Sequence, residues 1–167
     1  MAIKPGERKL QILQTVAEML EQPKGEKITT AALAKRLELS EAALYRHFAS
    51  KAQMFEGLIE FIEQTVFGLI NKITQDEKSG LKQIEATMSM LLSFAQKNRG
   101  MTRVLIGDAL VNEDERLQQR INQLLDRIEA TLKQSLRIAV TQGEMGELVD
   151  VGAHANLLMC YVVGRWT

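Results

Sequence analysis

Only two prolines, Pro5 and Pro23, interrupt 167 residues, and nearly everywhere else apolar residues recur at intervals of three and four instead of two. That period belongs to helices and excludes a sheet, so the chain is expected to be all-α. Ile12, Leu13, Val16, Met19 and Leu20 share one face of a first helix, Glu7 to Glu21, which the segment QPKGEK then breaks. A short second helix follows ITT, with Thr29 or Thr30 as its cap and Leu33, Ala34 and Leu37 turned inward. Glu38 and Leu39 make a very short turn before Ser40 caps a third helix, Glu41 to about Phe48. Ser50 followed by Gln53 is a capping box and starts a long fourth helix near Lys51, reaching about Thr74. Its apolar stripe is Phe55, Leu58, Ile59, Ile62, Val66, Leu69, Ile70 and Ile73.

Further helices are expected at Leu81 to Lys97, Thr102 to Val111, Glu113 to about Thr141, and from Val151 onward. Asn112 with Glu115 forms a second capping box, and Glu113, Asp114 and Glu115 suit the positive end of the helix dipole there. The chain stops at GRWT with Trp166 and the run LLMCYVV on an apolar helix. Either a partner covers that face or the natural protein is longer.

Charge excludes little, because 21 basic and 21 acidic residues cancel. Through Phe55, however, nine basic residues stand against six acidic ones, which marks the first third as the part suited to a polyanion. Cys160 is alone, so no intrachain disulfide forms, and its apolar flanks predict a core position in a protein of a reducing compartment. No apolar run approaches the roughly 20 residues that span a bilayer, and the N-terminus lacks a signal-peptide pattern. The expectation is a cytoplasmic protein with no membrane partner.

The stretch SEAALYRHFASKAQMF gathers Tyr45, His47, Phe48 and Phe55 in a chain with few other aromatics. Two short helices joined by a turn of three or four residues have the geometry of a helix-turn-helix, whose second helix enters the major groove. Its outer residues must be small or able to reach phosphates, and Ala42, Ala43, Tyr45, Arg46 and His47 qualify. Leu44 and Phe48, four apart, face the core. The aromatics thus divide: Phe48 and Phe55 pack, while Tyr45 and His47 touch DNA.

The pattern Ser-x-x-x-Leu-Tyr-x-His-Phe-x-x-Lys, here Ser40, Leu44, Tyr45, His47, Phe48 and Lys51, resembles the DNA-binding module of the TetR family. The stretch from Ile28 to Ala34 resembles that family's second helix. The resemblance implies a three-helix helix-turn-helix module at 1–52, joined by a long helix to a helical regulatory and dimerisation domain at 53–167. It places Thr30, Tyr45, His47 and Lys51 at phosphates, and Ser40, Glu41, Ala42 and Ala43 at base edges. The family commonly has Gly where this chain has Glu38, so a positive φ there would strain the turn.

A longer match, above all RLQQRINQLLDRIEATLKQSLR, resembles the nucleoid occlusion factors within the TetR family. It implies a homodimer on palindromic chromosomal DNA, associated with the nucleoid, that inhibits assembly of the tubulin-like division protein FtsZ. It also implies that roughly the last helix of the dimerisation domain is missing, the dimer otherwise using the helix from Val151. On the fourth helix, Phe61 lies roughly 120° from the apolar stripe at 100° per residue, so it faces outward or sits at the margin, where a neighbouring helix could equally shield it. Gly57, Thr65 and Gly68 beside it leave a shallow surface. By resemblance, Phe61, Lys97 and Asn98 take the aromatic, basic and amide positions of an FtsZ-facing surface.

Other functions find less support. A ligand-responsive TetR-type transcriptional repressor is the alternative, and a helical scaffold without DNA a third reading. A small-molecule inducer is not expected, because Met88, Met90 and Met101 read as core filling. His154 reads as a partly buried structural residue, and two histidines assemble no metal site. There is no Gly-rich phosphate loop and no nucleophile with an identifiable base, so neither an enzyme nor a cofactor is expected.

Overall fold

The computed structural model describes residues 4–22 and 28–167, and the described residues hold eight α-helices and no strand. They are α1 (Pro5–Leu20), α2 (Thr30–Arg36), α3 (Glu41–His47), α4 (Lys51–Asp76), α5 (Gly80–Lys97), α6 (Arg99–Leu105), α7 (Glu115–Thr141) and α8 (Val151–Trp166), with a 3-10 turn at Asp108–Leu110. The break expected at QPKGEK falls on residues 23–27, outside the described residues. No described helix is long and apolar enough to cross a membrane.

Packing divides the chain into two compact units that do not follow chain order. The first runs through Phe61 and also takes in Asn98–Gln118; the second comprises Ile62–Lys97 and Gln119–Thr167. In the first, Ile12, Leu13 and Val16 of α1, Leu33 and Ala34 of α2, Leu44 of α3 and Phe55 and Leu58 of α4 are buried. On to this core α6 adds Met101, Val104 and Leu105. Its approach to α1 is backbone to backbone: a Cβ at Gly100 would run into the Ala17 carbonyl oxygen. Arg103 of α6 then donates to the carbonyl of Leu20 at 2.9 Å, filling an acceptor that the last turn of α1 leaves without an intrahelical partner. The same guanidinium reaches Asp108 at 2.8 Å.

The helix expected from Thr102 to Val111 is shorter than its apolar pattern suggested. It ends at Leu105 because Gly107 takes φ 82, a left-handed turn from which the 3-10 turn starts. Asn112 is likewise no helix cap: its φ is 67, and Asp114 caps α7 instead, its carboxylate accepting from Arg116 N at 3.0 Å. Hydrogen bonds from the Arg116 side chain and backbone hold the Asp114 carboxyl below its usual range.

In the second unit, Leu124, Ile128, Leu132 and Leu136 of α7 are buried as their spacing predicts. Gly80 lets α5 meet the α7 backbone at Ser135 and Ala139. Buried Ser135 donates to Gln83 at 2.9 Å, and Gln83 donates to the carbonyl of Glu77, so the polar groups at this crossing are satisfied. The stripe on α4 ends sooner than expected, since Leu69 is exposed and Ile73 half-buried, whereas Phe67 is buried beneath Arg127, whose guanidinium lies 3.8 Å from the ring centroid.

Three side-chain expectations are corrected here. Trp166 is buried, and its indole N–H donates to the Leu91 carbonyl at 3.0 Å, so α8 presents Ala155, Met159, Val162 and Trp166 inward. What it leaves outward is Leu157, Tyr161 and Cys160; the cysteine is exposed because helical phase, which its flanks do not reveal, sets its direction. His154 is exposed and lies 2.8 Å from the Asp150 carbonyl oxygen.

The Gly100 contact gives a measurable contrast. Gly100→Ala is expected to cost about 1–3 kcal/mol by overpacking. Gly68→Ala, in open space on α4, should gain up to about 1 kcal/mol from helix propensity. Urea unfolding of both variants checks the opposite signs.

Candidate nucleic-acid interface

The helix-turn-helix lies wholly within the first unit. Thr29 caps α2 by accepting from Ala32 N at 3.0 Å, and Ser40 caps α3 by accepting from Ala43 N at 3.1 Å. Between them the chain turns at Glu38, whose φ is 56. Its N–H bonds the Lys35 carbonyl, and that of Leu39 bonds Ala34, the paired bonds of a Schellman ending. This closure fixes the direction in which α3 leaves α2. Glu38 therefore carries the strain anticipated for a side chain where glycine is usual.

Leu44 and Phe48 are buried, as is Phe55 on α4. The side of α3 turned away from them exposes Ser40, Glu41, Ala42, Tyr45 and Arg46, with Ala43 and His47 half-buried. A helix of seven residues with a small centre and a polar, partly basic surround is suited to lie in a major groove. Tyr45 donates to the Thr30 hydroxyl at 3.3 Å, and Glu41 lies 3.5 Å from the same oxygen. Thr30, Glu41 and Tyr45 are thus brought together at the meeting of α2 and α3. The Tyr45–Thr30 bond is exposed, so a phosphate oxygen can replace it at small cost.

Lys51 is placed differently from a surface phosphate contact. Ser50 accepts from Gln53 N at 3.2 Å, and Gln53 reaches back to the N–H of Ala49, so α4 starts where the capping signal put it. The ammonium of Lys51, however, folds back, 5.8 Å from the Phe55 ring centroid, and pairs with Glu113 at 2.6 Å. Glu113 was expected only to serve a helix dipole. The two residues lie 62 positions apart, and no local pattern announces the pair.

Of the expected FtsZ-facing residues, Phe61 is half-buried, Lys97 exposed and Asn98 half-buried. Lys97 closes α5 and Asn98 precedes α6. The shallow surface expected around Gly57 is filled, with the Phe48 ring and Leu13 against that glycine, while Gly68 stays open. Met101 is buried in the first unit, and Met88 and Met90 are half-buried in the second.

Comparison with known proteins agrees with this architecture. Residues 12–58 match the family of bacterial regulatory proteins, tetR family, and residues 78–167 match the SlmA-like Tetracyclin repressor-like, C-terminal domain. The chain is 50% identical over 164 residues to the nucleoid occlusion factor SlmA of Alteromonas mediterranea, covering 98% of this chain and 84% of that one. It is 48% identical over 165 residues to SlmA of Idiomarina loihiensis, covering 99% and 84%. Among solved structures, a TetR family transcriptional regulator from Agrobacterium tumefaciens superposes with a TM-score of 0.82 at 17% identity, covering 96% of this chain and 86% of that one. A TetR transcription regulator from Haloarcula marismortui does so with 0.82 at 16%, covering 96% and 85%.

The strain at Glu38 is testable. Glu38→Gly should stabilise the protein by about 1 kcal/mol and raise Tm by roughly 2–4 °C in thermal unfolding.

Proposed function

Because the chain belongs to the SlmA nucleoid occlusion factors of the TetR family, we propose that it binds palindromic chromosomal DNA as a homodimer and, while bound, inhibits FtsZ assembly over the nucleoid. The observation that carries this reading is the match across both halves of the chain. The helix-turn-helix alone would fit any TetR regulator, whereas the C-terminal half matches the SlmA-like domain. Nucleoid association in the cytoplasm follows from the same reading.

On the DNA side, α3 enters the major groove, with Ser40, Glu41, Ala42 and Ala43 toward base edges and Thr30, Tyr45, Arg46, His47 and Lys51 toward the backbone. The exposed side of α3 and the buried Leu44 and Phe48 behind it support that orientation. A palindrome needs two such helices about 34–36 Å apart, which a fixed dimer supplies. Leu157 and Tyr161, large and exposed on α8, support pairing through that helix.

On the FtsZ side, Phe61 offers an aromatic side for burial, Lys97 a cation and Asn98 an amide, chemistry suited to a peptide with apolar and acidic residues. The half-buried state of Phe61 supports a marginal position on α4.

Co-sedimentation with FtsZ polymers, with and without operator DNA, tests the reading as a whole; DNA-dependent loss of polymer is expected. Two variants separate its halves. Ala42→Asp puts a charge against the groove where Asp is tolerated in a first helical turn, and should lose specific DNA binding with the fold intact. Phe61→Ala should lose FtsZ binding by at least tenfold while DNA affinity stays within twofold of wild type, as measured by fluorescence anisotropy on each ligand. A small molecule that releases the DNA would favour a ligand-responsive repressor instead.

A further inference from the structure

We infer that Glu113 holds Lys51 away from DNA and so sets how strongly the module grips the phosphate backbone. The inference rests on the DNA-binding reading above and adds a residue that its motif does not contain. Lys51 opens α4 immediately after the recognition helix, where a cation would reach a phosphate. Yet its ammonium and the Glu113 carboxylate stand 2.6 Å apart, with the side chains only 24% and 15% exposed. A contact that short and that sheltered is screened less by salt than a surface pair.

Among the described residues, the ion pair that Lys51 makes is this one with Glu113. Arg103, on the same cleft, is engaged by Asp108 and the Leu20 carbonyl. The Phe55 ring at 5.8 Å from the ammonium is a weak contact. Lys51 also borders a cleft of about 280 Å³, lined among others by Met19, Phe55, Arg103 and Val111, so its side chain has room to swing. Glu113 in turn is held by the turn before α7, where the positive φ of Asn112 and the bond from Glu113 N to the Leu110 carbonyl fix its backbone. A carboxylate carried on this held backbone and paired with the ammonium makes a competitor for phosphate inside the protein. DNA must displace the carboxylate before it gains the lysine.

The test is a cycle of Glu113→Gln, Lys51→Ala and the double variant, with binding to a mixed-sequence duplex measured by anisotropy across a salt series. Glu113→Gln keeps the shape and removes the charge. It should tighten binding by about fivefold, the order expected when an ion pair no longer has to be broken. It should also steepen the salt slope by up to roughly one. Adding Lys51→Ala to Glu113→Gln should abolish both gains. If Glu113→Gln binds as wild type while Lys51→Ala weakens binding, Lys51 reaches phosphate without hindrance and the inference falls, the DNA-binding reading standing. If Lys51→Ala changes nothing in either background, or Glu113→Gln fails to fold in circular dichroism, Glu113 is a structural anchor and the inference falls. Wild type that binds no duplex at any salt would remove both readings together.

Discussion

The contact on which the first unit depends is the seating of α6 on α1 at Gly100. Without a side chain there the two backbones meet, and Arg103 then places its guanidinium on the end carbonyl of α1. A charge-assisted bond of this kind contributes on the order of 1.5–3 kcal/mol, more than an ordinary hydrogen bond. Through it a segment nearly a hundred residues from the N-terminus becomes part of the DNA-binding unit. The segment's far end, after two left-handed turns at Gly107 and Asn112, delivers Glu113 to Lys51.

The interface itself is built by a division of labour along a very short helix. Leu44 and Phe48 anchor α3 to the core of α1 and α4, leaving its other side to solvent. The direction of that side is set before the helix begins, by the closure at Glu38. A glutamate in left-handed geometry costs stability, and the buried anchors on either side offset it. Tyr45 and Thr30 then tie α3 to α2 by a bond weak enough to exchange for phosphate.

Much of this was legible in the sequence. The caps at Thr29, Ser40 and Ser50 work as their residue types required, because capping is a local bond between a side chain and an amide two or three residues away. Of the α1 stripe, Ile12, Leu13, Val16 and Leu20 are buried as their spacing demanded, with Met19 half-buried. Where the reading missed, the local signal was satisfied by the wrong chemistry. Asn112 has the residue type of a cap, but asparagine also tolerates positive φ, and the chain uses that property instead. Periodicity carried the helix after Thr102 past Gly107, though a glycine was available to end it.

The sequence by itself therefore determined most of the helices, the caps at Thr29, Ser40 and Ser50, the helix-turn-helix and the burial of Phe48 and Phe55, since each depends on residues within a turn or two of one another. Tertiary structure alone decided that Trp166 is sealed on Leu91, that Cys160 faces out, that the open surface beside Gly57 is occupied by Phe48, and that Lys51 is paired with Glu113. Each of these joins residues far apart in the chain or turns on which side of a helix meets a neighbour. Helical periodicity fixes which residues share a face, and only packing fixes what that face meets.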